Sequence, residues 1–399
     1  MKRRYLWIII FLVVVVLVLS SAIRNGKKNT QDEGKEPPAE IPEGILVSEI
    51  PDNADILFVS IRYVFNDLAC LDEDYEIKEN FLNDPECLAR IYDAEHDVLA
   101  SPRQLYSLDI ETGEVTQLTN VGFDFSSSKP IDSARIMAIG ACNDTDGDGI
   151  ISTKDEIHIF LIDLEEKDVE CLTSGLNLTS INNPDYSTAN RKILFSAQRK
   201  GVFHNYLFTL TLDGNLEQIT DEEEYFDFDC SWSEDGTKIV FSRLPTQEPP
   251  WIIPSQVWLI DADGANKVKI TDGGPNPDDE EPHGPYPIGI DADPDLSHDN
   301  GKIVFSRLKT GKQNEPFGVY ELVVVDVETR VETVLDSSYA NMIPEWKFQG
   351  IVFIRQVRGD TAMDRKQSVH IYRDGEFTNL EPAPYDVFPI GSNGASWID

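Results

Sequence analysis

KIVFSR stands at residues 238–243 and again, unchanged, at 302–307. The same short apolar run returns as ILFVS (56–60), RIMAIG (135–140), KILFSA (192–197) and GIVFIR (350–355). After an interval of variable length each is followed by a second unit. These read QLYSLDIETGEVTQLT (104–119), EIHIFLIDLEEKDVECLT (156–173), NYLFTLTLDGNLEQIT (205–220), QVWLIDADGANKVKIT (256–271), YELVVVDVETRVETVL (320–335) and SVHIYRDGEFTNL (368–380). Two β-runs joined by a turn of Asp, Gly and Thr form a hairpin. Ahead of the KIVFSR copies come turns, Ser233-Glu234-Asp235-Gly236 and Ser297-His298-Asp299-Asn300-Gly301, and ahead of the first turn another short strand, FDCSW (228–232). Four strands per repeat and six repeats predict an all-β, six-bladed β-propeller. The first repeat opens directly at its second strand, and GASWID (394–399) reads as the strand that completes it. Closure of that kind removes an exposed sheet edge.

The run from Asp229 to Arg243, followed by Val257 to Thr271, carries the pattern D-x-S-W-S-x-D-G-x-K-I-V-F-S-R, then V-W-L-I-D-x-D-G and K-I-T. It resembles the WD-like β-propeller repeats of the TolB type, over residues 54–399. The fourth and fifth repeats match best, the first and sixth loosely. The resemblance implies the propeller fold and, from the type member, a periplasmic protein-binding role, although fold alone does not carry function. The expected blades are 54–120 with 394–399, 121–174, 175–221, 222–272, 288–336 and 337–380.

The sequence of 399 residues has 71 acidic and 34 basic side chains, a formal net charge of −37. Such a surface repels phosphate backbones, so nucleic acid is excluded as a partner. Hydrophobic residues at 41% supply a core and exclude disorder of the whole chain. Lys2-Arg3-Arg4 precedes an apolar run from Tyr5 to Leu19, then Ser20, Ser21, Ala22 and Ile23. Residues 1–23 read either as an uncleaved transmembrane helix that anchors the chain or as a signal peptide cleaved after Ala22. The length of the run favours the anchor. Both readings place the remainder outside the cytoplasm, as the domain of a single-pass membrane protein or as a secreted or periplasmic protein. Residues 24–53 read as a polar, flexible linker.

Asp144-Thr145-Asp146-Gly147-Asp148-Gly149-Ile150-Ile151-Ser152-Thr153-Lys154-Asp155 has calcium-loop spacing. Asp144, Asp146 and Asp148 take positions 1, 3 and 5, Ile150 offers its carbonyl at 7, Ser152 stands at 9 and Asp155 at 12. Aspartate at the last position resembles dockerin loops more than EF-hand sensors. The flanks are strands, so the loop closes a hairpin in the second blade, and the ion expected is structural calcium. The DADG of 261–264 is a plain turn.

Long intervals between second and third strands would all leave one face of a propeller. One of them, 61–103, holds Cys70 and Cys87, the disulfide candidate in an exported chain. Another, 244–255, holds Trp251, Ile252 and Ile253, which either pack on neighbouring loops or form a binding face. Cys142 and Cys171 end strands two apart in the second blade, about 9–10 Å in an ideal sheet. A bond between them needs the loop to bend back. Cys230, on an inner strand, is expected as a buried free thiol.

No G-x-S-x-G elbow is present, and the six histidines (96, 158, 204, 283, 298, 370) scatter over strand and loop positions, most of them expected at the surface or in hairpins. The sequence therefore points to a monomeric binding module for a protein or polysaccharide outside the cytoplasm rather than to an enzyme. The alternative is a propeller enzyme with a channel metal, a lactonase-like hydrolase or an oligosaccharide lyase. Asp, Glu, Asn or His side chains converging in the channel would favour the alternative; small and apolar linings would favour the scaffold.

Overall fold

The computed structural model describes residues 44–62, 103–112, 114–145, 147, 151, 155–246, 255–273, 290–309, 319–357, 366–380, 387–388 and 395–398. These contain no helix, and none of them crosses a membrane as one; Tyr5–Ile23 lies outside the described residues. Six antiparallel sheets form the blades of a propeller. The second blade runs Asp124–Pro130, Arg135–Ala141, Ile157–Asp163 and Asp168–Cys171 from channel to rim, and the third Leu178–Ser187, Lys192–Arg199, Asn205–Thr211 and Leu216–Gln218. The fourth is Tyr225–Trp232, Lys238–Pro245, Gln256–Asp261 and Val268–Lys269; the fifth Asp291–Leu296, Lys302–Lys309, Val319–Asp326 and Glu332–Asp336. The sixth comprises Ala340–Lys347, Gly350–Val357, Lys366–Arg373 and Glu376–Leu380.

The first blade takes Ile56–Arg62, Gln104–Leu108 and Val115–Gln117 from one end of the chain and its inner strand from the other. Ala395, Ser396 and Trp397 pair with Phe58, Leu57 and Ile56, and Val387 and Phe388 pair with Arg62 and Ile61. The closing strand is therefore made in two pieces rather than from 394–399 alone.

Why the second strands read as unbroken apolar runs is visible in the packing. Each is covered on both faces, so alternate side chains go to opposite neighbours. Ile56 and Phe58 pack with Val352 and Ile354 of the sixth blade, whereas Leu57 and Val59 pack with Ile136 and Ala138 of the second. Met137 and Ile139 then meet Ile193 and Phe195 of the third. The pattern continues around the ring, so the core is six apolar wedges between blades rather than one central mass.

Polar residues of the repeat are equally placed. Thr119, Thr173, Thr220 and Thr271, the threonines of the recurring L-T or I-T ends, accept the N–H of Leu105, Ile159, Leu207 and Val257 at 2.9–3.1 Å. The arginine ending KIVFSR is buried. Arg243 grips Asp227 through Nε and Nη2 at 2.6 and 2.8 Å, and Arg307 grips Asp291 at 2.6 and 2.9 Å. Their guanidinium groups also lie over Tyr225 and Phe305, at 4.5 and 5.0 Å from the ring centres. Gly140 takes this arginine's place in the second blade, and Arg103 reaches across from the first to grip Asp124.

One boundary needs correction. Of the segment read as a free linker, 44–53 is packed: Gly44–Ile45 pairs with Thr119–Asn120, and Ile50 is buried with its N–H on the Ser133 carbonyl at 2.8 Å. Ile45, Val47 and Ile50 supply apolar contacts to the wedge between the first two blades, which a polar tether could not.

Candidate functional site

Inner strands of the five blades with a continuous inner strand carry a β-bulge, between Phe125 and Ser127, Asn182 and Asp185, Phe228 and Ser231, Ala292 and Asp295, and Met342 and Glu345. In four of them a non-glycine residue adopts the left-handed conformation: Asn183, Asp229, Asp293 and Ile343, with φ of 46°, 47°, 51° and 53°. Asn and Asp tolerate this region; a β-branched residue does so at a cost. Pro184, Pro294 and Pro344 follow three of them, where the bulge has already removed the ladder bond that proline cannot donate.

The bulges aim polar side chains into the channel. Asn183 Nδ2 donates to Asp229 Oδ1 at 2.6 Å and to Asp293 Oδ1 at 3.4 Å, and the Asp293 N–H donates to Asp229 Oδ2 at 3.3 Å. Burial, then the charge of Asp293, pushes the Asp229 carboxyl well above its ordinary range. Burial also raises Asp293, to about 6, against donations from the Ile343 N–H and Asn183. Two carboxyls this close, with one carboxamide between them, share at most one negative charge comfortably.

Two residues further along, Asp185 accepts the Trp232 N–H at 2.6 Å and Ser231 Oγ at 3.1 Å, while Asp295 accepts the Trp346 N–H and Ser231 Oγ, each at 2.6 Å. Each carboxylate thus satisfies a backbone donor on the inner strand of the next blade. Lys129 donates to Asp185 at 3.0 Å and stands 4.0 Å from Glu345. Burial opposes its charge, but Asp185 and Glu345 hold it protonated above the usual lysine range. Asp295 is raised to about 6 by burial, opposed by Lys129 and Lys347.

This lining is the converging kind that would favour a channel enzyme. Its dimensions argue the other way. The cavity bounded by Ser127, Lys129, Asn183, Asp229, Asp293 and Asp295 measures about 60 Å³, against the roughly 300–1,000 Å³ of an organic ligand site. It admits waters or an ion. Among the described residues no three His, Cys, Asp or Glu side chains are placed to share a metal. A larger groove, about 780 Å³, lies between the second and third blades on the face of the short turns, lined by Asp132, Arg135, Tyr186, Asn190, Arg191 and Asp213. Arg135 there is neutralised by Asp132 at 2.6 Å.

Of the calcium-loop residues, Asp144 and Asp155 are described; Asp146, Asp148, Ile150 and Ser152 lie outside the described residues. The loop's two ends meet. Asp155, 5% exposed, accepts the Thr145 N–H at 2.6 Å and Thr145 Oγ1 at 3.0 Å, and Asp144 Oδ1 accepts the Gly147 N–H at 2.7 Å. The carboxylate at position 12 is thus buried and drawn to the loop's entrance. Cys70, Cys87, Trp251, Ile252 and Ile253 also lie outside the described residues.

The expected separation of Cys142 and Cys171 is overturned. Their sulfurs lie 3.0 Å apart. Ala141 is the last residue in the ladder, after which the chain bends toward the rim, and both thiols pack against the wedge between the first two blades. Cys230 is a buried free thiol. Two of the histidines lie in the hairpins, buried on third strands: His158 beside Thr173 Oγ1 at 3.2 Å and His370 beside Ser368 Oγ at 2.9 Å. Burial lowers both, His370 to about 4, so they are neutral.

Second strands all run toward the same face, so the intervals following them, from 63 in the first blade, 142 in the second, 246 in the fourth, 310 in the fifth and 358 in the sixth, all leave from it. Fold and site together define a six-bladed propeller with four-stranded blades, a small charged channel and one decorated face. Its solved neighbours include TolB-like propellers. TolB from Acinetobacter baumannii superposes with a TM-score of 0.53 at 15% identity, over 86% of this chain and 66% of that one. A putative TolB from Agrobacterium tumefaciens gives 0.50 at 16%, over 69% and 86%. The hydrazine synthase of Kuenenia stuttgartiensis gives 0.53 at 13%, over 86% and 46%. The chain thus spans just under two thirds of the Acinetobacter protein, and likeness at these identities extends to the fold alone. No protein-family model matches the sequence, and no curated protein matches it.

Proposed function

We propose that this chain is a propeller binding module working outside the cytoplasm, tethered by residues 1–23 or released by their cleavage, with a protein or polysaccharide ligand and a structural calcium ion in the 144–155 loop. The observation that carries the reading is the contrast between a cavity of about 60 Å³ among the described channel residues and an open groove of about 780 Å³. Chemistry on an organic substrate has little room at the centre, whereas recognition has room at the surface. The acidic surface favours basic or cation-bridged ligands.

The test is photo-crosslinking in the source cells from positions 186 and 251 of the full chain. A discrete adduct from either position, formed on the extracytoplasmic side, is the expected result. Protection of the domain from protease in cells whose outer envelope has been opened, lost only when the cytoplasmic membrane is breached, would overturn the location. For calcium, wild type should melt higher as the ion is added after chelation, and Asp146→Ala should lose the rise; no shift at millimolar calcium removes the ion from the reading.

A second reading is favoured by the Asp229–Asp293 pair, which together with Asn183 offers oxygen donors for a channel cation. Turnover of lactones or acidic oligosaccharides with added divalent metal, abolished in Asp229→Asn, would establish that reading in place of the first.

A further inference from the structure

We propose that Cys142 and Cys171 form an intramolecular disulfide, made by exchange with an external disulfide such as oxidised glutathione or the active-site disulfide of a thiol oxidoreductase. Their sulfurs stand 3.0 Å apart, about 1 Å from bonding distance. Both side chains already rest on the same apolar wedge between the first two blades, so a small rotation closes the gap without moving a strand. Both are partly exposed, unlike Cys230, which is buried with its thiol directed at the Asn183 carbonyl and so does not compete.

The order of attack follows from the surroundings. Burial, and then the neighbouring Cys142 thiol, pushes Cys171 up to about 12, which makes it a poor first nucleophile. Cys142 opens the exposed loop, and Asn143 Nδ2 donates to its sulfur at 3.2 Å. Cys142 thiolate attacks one sulfur of the external disulfide, forming a mixed disulfide and releasing one external thiolate. Cys171 then attacks the Cys142 sulfur, its proton leaving to solvent, and the second external thiolate departs. Two cysteine sulfurs are oxidised, the external disulfide is reduced to two thiols, and two protons in all are given up by the protein.

The place of the bond gives it a structural consequence. Cys171 ends Asp168–Cys171, a four-residue rim strand held by the third strand on one side only. Cys142 immediately precedes Asn143 and Asp144, the entrance of the acidic loop. The bond pins the free rim to the foot of that loop and closes a covalent ring of about 30 residues, which is expected to raise the melting temperature by about 5 °C.

To test this, the full chain is equilibrated with oxidised glutathione, alkylated without reduction, digested and mapped by mass spectrometry. The expected result is a peptide pair joined through Cys142 and Cys171, two hydrogens lighter than the free peptides. Cys142→Ser should leave Cys171 alkylated and melt about 5 °C lower than oxidised wild type, and Cys171→Ser should match it. Alkylation of both residues in wild type, or linkage of either to Cys70 or Cys87, overturns the proposal. The mapping of wild type decides the matter even if a serine variant fails to fold.

Discussion

Replacing Asp293 by Asn tests the electrostatics of the channel. Asp293 titrates near 3.8 in the unfolded chain and at about 6 in the fold, because burial beside Asp229 disfavours its charge. A folded-state value above the unfolded one means that the native state binds more protons between these limits, so stability falls as pH rises from about 4 through 6. Two units correspond to a penalty on the order of 3 kcal/mol, fully present above pH 6. Asn has the same shape and keeps an acceptor for the Ile343 N–H and Asn183, but carries no charge to desolvate. Urea titrations in chelator at pH 4.5 and 7.5 provide the assay. The variant should be more stable than wild type by about 1–3 kcal/mol at pH 7.5, nearly equal at 4.5, and flatter in between. Because the charge of Asp293 also holds Asp229 up, part of the gain passes through that neighbour. A variant less stable at pH 7.5, or one with the slope of wild type, would refute the account of two repelling carboxyls in the channel.

Other perturbations have equally definite outcomes. A Cβ on Gly140 would sit 2.0 Å from the Asp124 carbonyl and 3.0 Å from the Phe125 Cα, both backbone, so Gly140→Ala should cost about 3 kcal/mol or more in a thermal or urea melt. Ile343→Asn places at the left-handed bulge position the residue type found there in the third blade, and should raise stability by about 0.5–1 kcal/mol by the same measurement. Arg307→Met leaves Asp291 buried without its partner and should cost about 3–5 kcal/mol, with Asp291→Asn added to it recovering a substantial part.

The repeat in the sequence carried the blades, their strand order and the closure of the first by the last, because a strand covered on both faces must be apolar throughout and returns with each blade. The channel was less legible. Asn183, Asp229 and Asp293 are separated by dozens of residues, and one polar residue per blade leaves no local pattern of chemistry. A signal was nevertheless present: N-P-D, D-P-D and I-P-E at 183–185, 293–295 and 343–345 mark the bulges and the carboxylates that serve them. The Cys142–Cys171 contact was hidden for a different reason. Ideal strand spacing describes residues in the ladder, and Cys142 lies one residue beyond it. The packed end of the linker escaped because Ile45, Val47 and Ile50 are too few, and too near Pro and Gly, to read as a strand. The arginine of KIVFSR was visible as a recurrence, but its bidentate grip on an aspartate requires the register between inner and second strands.

The N–H of Ile398 bonds the Asp55 carbonyl at 2.8 Å, and Ala395–Trp397 lies along Ile56–Phe58. The seam of the ring is thus sewn by a strand that precedes the other blades in the chain and strands that follow the sixth. Until synthesis reaches residue 397, Ile56–Arg62 has one open edge. Contacts this distant carry a large chain-closure entropy and form late. The nascent protein therefore passes through an arc of finished blades with two adhesive ends, and its yield depends on how quickly those ends find each other rather than other chains. In this sense the seam acts as a clock on assembly: the five other junctions can set in the order they are made, and the last one makes the arc a closed ring.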